Sequence, residues 1–408
     1  MWRNFLVRCK IIIFMNKRKL GIAIIGLGGA VGTTIVAGIE LLKKGRIGTE
    51  GLPLAALPEN LIENLASYEN LVFGGWDLHA ANLASAAEEH DVLTHKQFVA
   101  VEEELRRIKP WRAVGNKEFL VRVEGENIFS DSSHRAVIEK IRQDLQDFRA
   151  RENCGEVVVI NLGSTEKLAD EGNEIFNSIA GFERALDDDS KEISPAMLYA
   201  YAAISEKIPY GNFTPSVAAD IPALVEFAEK QRVPVAGKDG KTGQTMIKTA
   251  LAPALKTRAL KVEGWYSTNI LGNRDGLALS HEDSLRSKVK TKGSVLDDIL
   301  GYTVEDHLVD IRYYRPRGDN KEAWDNIDVT GFLGQPMQIK INFLCRDSIL
   351  AAPLAIEIAR LLDLAKRRQS FGVQEQLSVF FKLPMTKNKK PEHALYKQEE
   401  MLLDWLKR

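Results

Sequence analysis

The sequence predicts an α/β protein: a doubly wound parallel sheet interrupted by an inserted α+β unit. Three observations predict it. A continuously apolar run, Leu20 to Leu27, passes at once into a glycine-rich turn. Strand-length apolar runs then alternate with helical stretches to about residue 245. Beyond that, longer segments of alternating polar and apolar residues take over, until an apolar helix returns at Asp347 to Arg367.

Leu20 to Leu27 shows no alternation, as in a strand buried on both faces. Gly28 to Thr34 follow, then a helical stretch from Ile35 to Lys44, where Lys43-Lys44 and Gly45 suit a helix C-terminus. A second strand reads at Asn70 to Phe73, ending in Gly74-Gly75-Trp76-Asp77, with helices at about 79–90 and 96–108. Residues 110–135 are mixed and polar and carry no assignable element. A helix at about 135–150 leads to the strand Glu156 to Ile160, followed by helices near 195–206 and 218–231 and the strand Val233 to Ala236. Long strands near 259–269, 307–315 and 336–344 read as a largely antiparallel sheet. After the helix at 347–367, two more helices close the chain. The expected organisation is a nucleotide-binding domain at 17–245 plus 348–408, with an insertion at 246–347.

A chain of 408 residues is too long for one core of ordinary size. Hydrophobic residues at 45% and charged residues at 27% fit a globular protein, and a net charge of −1 gives no overall attraction to nucleic acid or an anionic membrane. No apolar run reaches the ~20 residues of a membrane span. The three cysteines, Cys9, Cys154 and Cys345, are far apart and odd in number, which argues for a reducing, cytoplasmic setting. The seven histidines form no HxxxH or Cys/His cluster, so no metal site is read. The apolar run Ile11 to Phe14 is too short for a signal peptide, so Met15 is read as the start and residues 1–14 as an upstream extension.

The first motif is Gly26-Leu27-Gly28-Gly29-Ala30-Val31-Gly32, one residue longer than G-x-G-x-x-G. Its place between a buried strand and a helix favours a Rossmann-like dinucleotide turn, in which glycines admit a pyrophosphate and helix amides face it; the alternative is a glycine turn with no ligand. Asp77, after the second strand, is the candidate for a ribose hydroxyl; the alternative is an N-cap for the helix at 79–90. Asn161, Ser164 and Thr165 sit at a strand's C-terminal end, where such sheets bind ligands; the alternative is an N-cap with Glu166 in the first turn. Further along, Gly237 to Thr245 superficially resembles a Walker loop, but the lysine does not follow the last glycine. Lys288 and Lys292 lie four apart, on one face if helical.

Five pieces in order, AGKDGKTGQT, LGNRDG, RSKVKTK, RGDNK and CRDS, resemble the myo-inositol-phosphate synthase family in its shorter archaeal and bacterial form. The family carries G-D-D-x-K-S-G-Q-T, L-G-N-x-D-G, R-S-K-x-x-x-K, V-G-D-S-K and C-E-D-S. The match is strongest over 157–365 and orderly from 20. Carried over, Asp239, Asp275, Lys288, Lys292, Lys321 and Asp347 fall on active-site positions, with Asp239 also near the cofactor. Lys382, in SVFFKLP, resembles the lysine of the family's S-Y-W-L-K-x-P. Lys238 and Arg346 stand where the family has acids, and Met246 where a lysine often follows; the two basic replacements are expected to retune charge or compensate each other, and they leave a bound cation open.

The resemblance implies conversion of glucose 6-phosphate to inositol 3-phosphate by a tightly bound, regenerated NAD, in a homotetramer. It implies Lys288 as acid–base at C5, Lys382 and Lys321 beside oxyanions, Lys292 on phosphate, and Asp275 and Asp347 holding the lysines. Clustered cations lower a lysine's pKa and stabilise an enolate, as this chemistry requires. Rival readings are an NAD(P)-dependent dehydrogenase of a phosphorylated metabolite, which would release NADH, and an inactive nucleotide-sensing scaffold, which has no need of the lysine–aspartate set.

Overall fold

A computed structural model describes residues 18–121, 124–130, 133–272, 295–387 and 389–408. Residues 1–14, Asp275, Lys288 and Lys292 lie outside the described residues. Among the described residues the first sheet has seven strands: β1 (Leu20–Ile25), β2 (Leu71–Asp77), β3 (Trp111–Arg112), β4 (Glu156–Asn161), β5 (Tyr210–Asn212), β6 (Pro234–Ala236) and β11 (Gly372–Val373). All its pairings are parallel, in the order β11-β6-β5-β4-β1-β2-β3. The order reverses at β1 and β4, which is where doubly wound sheets form their ligand crevice.

The apolar runs read as strands are buried on both faces. Ala23, Ile25, Val157 and Val159 join one core with helices α4 (His134–Glu152), α5 (Ile179–Asp187), α6 (Pro195–Ser205) and α7 (Pro222–Gln231). Leu20, Ile22, Ile24, Val158 and Ile160 join the other, with α1 (Ala30–Lys43), α2 (Leu83–His90), α3 (His95–Arg107) and the long α9 (Asp347–Arg367). The helix expected from residue 218 begins at Pro222, whose fixed φ suits the first helical position. The close of the chain holds a 3-10 turn, Glu375–Phe380, and one α-helix, α10 (Leu395–Leu406), rather than two α-helices.

The second sheet runs β10-β9-β7-β8, from β7 (Lys261–Leu271), β8 (Asp306–Tyr313), β9 (Asn320–Thr330) and β10 (Pro336–Arg346). β9 is antiparallel to both neighbours, while β7 and β8 are parallel, so the sheet is mixed. β9 has no counterpart among the expected strands. Its inward face carries Asp325 between Ala323 and Ile327, which breaks the apolar alternation. That carboxylate is fully buried and accepts from Trp265 Nε1 at 2.7 Å, Ser267 Oγ at 2.6 Å and Gln244 Nε2 at 3.2 Å, so its burial is matched by donors. Helix α8 (Gln244–Thr257) and residues 295–300 close this face through Ala252, Leu255, Leu296 and Ile299, packed on Val262, Trp265 and Ile327. β10 runs directly into α9, which lies against α1 and β4, so the second sheet is joined to the first beside its crevice.

Candidate active site

The register sets Ile25 beside both Trp76 and Asn161. The glycine turn, Asp77 and the Asn161 segment therefore converge at the C-terminal ends of three adjacent strands. Gly26 turns with φ +81°, the left-handed region that glycine tolerates. A Cβ on Gly32 would lie 2.4 Å from the Leu27 carbonyl oxygen, so only glycine fits there. Helix α1 starts at Ala30, five residues before the expected Ile35, which brings Gly32 into the helix and Ala30 and Val31 to the crevice. Its N-terminus has no side-chain cap and no acidic residue in the first turn. Such an end, beside a turn that excludes Cβ atoms, fits a dinucleotide pyrophosphate.

Asp77 accepts from Gly28 N at 2.9 Å and from His79 N at 3.0 Å. It is not a helix cap: Asn82 caps α2 by accepting from Ala84 N and Ser85 N. Asn161 accepts from Gly163 N at 3.0 Å and donates to Asn212 Oδ1 at 3.3 Å. Residues 162–170 are not helical, so the expected N-cap with Glu166 in a first turn is absent. Ser164 and Thr165 line the cleft from a loop, and Glu166 instead accepts from Ala196 N at 2.9 Å at the start of α6. Burial pushes the Glu166 carboxyl up to about 7.

The crevice continues into a cleft of about 610 Å³. One end is lined by Gly26, Gly29, Ala30, Val31, Gly32, Asp77, Asn161, Ser164 and Thr165, the other by Asp239, Thr242, Asp319, Lys321, Asp347 and Lys382. Gly28 lies just behind, through its bond to Asp77. In the β9–β10 hairpin Lys321 is paired with Cys345, which places its ammonium 3.2 Å from Asp347 Oδ1. Thr242 Oγ1 donates to that same oxygen at 3.2 Å. Asp347 opens α9, where helix amides favour its negative charge.

A second pair forms deeper. Lys382 Nζ donates to Asp239 Oδ1 at 2.6 Å, with side chains 10% and 4% exposed. Backbone bonds lock the two segments together, Lys382 N to Asp239 O at 2.7 Å and Lys241 N to Phe380 O at 2.8 Å. Asp239 itself has φ +60°. Its Oδ2 is buried without a hydrogen-bond partner among the described residues.

Several contributors were not singled out from sequence. Asp319 accepts from Ser348 Oγ at 2.6 Å, and burial raises its carboxyl. Its place in RGDNK, two residues before Lys321, was the available signal. Thr242 precedes α8, whose N-terminus at Gly243 has no side-chain cap and no acid in its first turn, a second end suited to an anion. Lys238 and Arg346 do not compensate each other: Lys238 pairs with Asp220 and Glu171, and Arg346 lies 3.6 Å from Asp319 Oδ2. Among the described residues no group of three or more His, Cys, Asp or Glu is placed to hold a metal ion.

A sheet in this order, a glycine turn in its first crossover and lysine–carboxylate pairs in the same cleft define a dinucleotide-dependent enzyme for a small anionic substrate. The sequence profile of myo-inositol-1-phosphate synthase, itself named for NAD binding, matches residues 54–407, and the chain belongs to that family. It is 43% identical to inositol-3-phosphate synthase 1 of Bacteroides thetaiotaomicron, over 95% of each chain. The fold matches an inositol-3-phosphate synthase of Caenorhabditis elegans with a TM-score of 0.88 at 26% identity, over 96% of this chain and 86% of that one. It also matches a myo-inositol-1-phosphate synthase-related protein of Thermotoga maritima with a TM-score of 0.79 at 25% identity, over 95% and 98%. The family is one of isomerases that use NAD to convert glucose 6-phosphate into inositol 3-phosphate.

Proposed function

We propose that this chain converts D-glucose 6-phosphate to 1D-myo-inositol 3-phosphate by oxidation at C5, enolisation, intramolecular aldol closure and re-reduction. The observation that carries the reading is the continuity of one cleft from the glycine turn to Lys321 and Lys382. Gly26, Gly28, Gly29, Ala30, Val31 and Gly32 would hold the pyrophosphate, with Asp77 toward a ribose and Asn161, Ser164 and Thr165 along the crevice. When bound there, NAD supplies the hydride acceptor for C5 and later the donor, so it is regenerated.

The chain's own residues do the rest. Two ammonium groups, each held by a carboxylate, stand where negative charge grows on the sugar's oxygens during enolisation and ring closure. Lys382 and Lys321 take this role. Asp239 keeps Oδ2 for a hydroxyl of substrate or cofactor. Lys288 is assigned the proton at the C5 hydroxyl and Lys292 the phosphate, with Asp275 tuning their protonation. These three follow Gly272, which lines the cleft. The α8 N-terminus adds amides for the phosphate. C6 and C1 belong to one molecule, so the aldol step is intramolecular, and the site's task is to orient C6 toward C1.

Residues 246–347 are proposed as the unit that also carries tetramer contacts. The outward face of the second sheet exposes Leu308 at 56% and Tyr266 at 38%, and Tyr266 packs edge-on against Trp324. The buried free thiols of Cys154 and Cys345 suit a reducing, cytoplasmic compartment. No described helix is long and apolar enough to cross a membrane. The test is incubation of pure protein with NAD and glucose 6-phosphate, followed by identification of the sugar phosphate. Inositol phosphate without net NADH is expected; stoichiometric NADH release would sink the proposal.

A further inference from the structure

Lys238 belongs to the turn that presents Asp239, yet its side chain leaves the cleft. It is 8% exposed, and its ammonium reaches Asp220 Oδ2 at 2.6 Å and Glu171 Oε1 at 3.2 Å. Burial opposes the charge, and the two carboxylates more than offset it, so the group stays an ammonium. Each partner ends a segment that lines the cleft. Glu171 lies five residues beyond Glu166, and Asp220 five beyond Pro215. Asp220 also accepts from Ala218 N at 2.8 Å, which fixes its own loop. The backbone of Lys238 exchanges two hydrogen bonds with Leu383, at 2.8 and 3.2 Å, next to Lys382.

We propose that Lys238 is a positioning residue, a tethered cation that draws the loop at 162–171 and the loop at 213–220 against the turn at 237–243, so setting the distance between the dinucleotide end of the cleft and the Asp239–Lys382 pair. The inference rests on the reading of this cleft as the active site. Without the ammonium, Asp220 and Glu171 repel each other across the gap and the two loops part from the turn. A displacement of about 1 Å between reacting groups can cost on the order of a hundredfold in rate. The α8 N-terminus, assigned above to the phosphate, begins at Gln244, six residues beyond Lys238.

The test compares wild type with Lys238→Met, Lys238→Arg and Glu171→Gln. Lys238→Met should lower kcat by about 10- to 100-fold and leave KM for glucose 6-phosphate within about threefold. Lys238→Arg, which keeps a cation able to span both carboxylates, should restore most of kcat. Backbone hydrogen exchange at 162–171 and 213–220 should rise in Lys238→Met and return toward wild type in Lys238→Arg. Unchanged kcat and unchanged exchange in Lys238→Met overturn the proposal, as does a lowered melting temperature with kcat intact. If Lys238→Met does not fold, Glu171→Gln is read instead, since Glu171 is 45% exposed; a threefold or greater fall in kcat supports the clamp and an unchanged kcat overturns it. A wild type that makes no inositol phosphate, with loop exchange still responding to Lys238, refutes the assigned reaction and leaves the clamp standing.

Discussion

Lys382→Met removes an ammonium and keeps most of the side-chain volume. In the native protein that ammonium lies 2.6 Å from Asp239 Oδ1, and both side chains are at least nine-tenths buried. Asp239 Oδ2 has no hydrogen-bond partner among the described residues, so the variant strips the carboxylate of its Lys382 ion pair inside the protein. Breaking a buried pair from one side costs about 3–5 kcal/mol. With an unfolding entropy of about 2.1 cal/mol/K per residue over the chain, a loss of about 4 kcal/mol lowers Tm by about 5 °C. Turnover should fall by about 100- to 1,000-fold, the usual consequence of deleting one group that stabilises an oxyanion. The double variant Lys382→Met/Asp239→Asn separates the two effects. It removes both charges, so it should recover more than half of the lost stability while turnover stays low. Thermal melts and product formation by ion chromatography read both quantities. A double variant that regains turnover along with Tm would show that the pair serves the fold alone, and a single variant melting within about 1 °C of wild type would refute the burial argument.

Gly32→Ala forces a Cβ to within 2.4 Å of a backbone oxygen, so it should cost about 1–3 kcal/mol and weaken NAD binding at least tenfold in a fluorescence titration; unchanged affinity would refute the tight-turn argument. Burial pushes the Lys241 ammonium down from 10.5 to about 7, against a Gln398 side-chain oxygen as its hydrogen-bond partner. Between those values the unfolded chain holds the proton and the folded chain does not, so this group makes stability rise with pH from about 7 toward 10.5. Lys241→Met should therefore lose that slope, and denaturant melts at pH 7 and 9 showing the same slope as wild type would contradict it. Lys288→Ala should abolish inositol phosphate formation while NAD still binds; turnover within a few-fold of wild type rules out its role.

The parallel sheet was readable because burial on both faces leaves runs such as Leu20 to Ile25 and Val157 to Ile160 uninterrupted by polar residues. β5 and β11, with three and two residues, are too short to carry any period. β9 was hidden for a different reason. Its inward position 325 is an aspartate, and the donors that make this tolerable, Trp265, Ser267 and Gln244, lie on other elements at least 58 residues away. Nothing local to the strand announces that such a charge is inward. The start of α1 differs from the expected Ile35 because glycine inside a helix argues against helix on propensity, whereas here it is required by the carbonyl oxygens of Gly26 and Leu27 in the turn beneath it.

The two lysine pairs divide along the same line. Once the β9–β10 hairpin is granted, its register follows from the turn at 331–335: Thr330 opposes Pro336, Lys321 opposes Cys345, and Asp347 falls just beyond. Lys321–Asp347 is therefore a hairpin contact: the resemblance implies that Asp347 holds a lysine, and β9 supplies which one. Asp239 and Lys382 are 143 residues apart and meet across two loops, which no periodicity or register within either segment encodes. The same holds for Lys238, whose partners come from loops after β4 and β5. Residue type and motif order could nominate these groups, since a sugar phosphate passing through an enolate needs several cations. Which carboxylate each cation answers to is set by the crossover connections of the parallel sheet, because these return distant segments to the same strand ends.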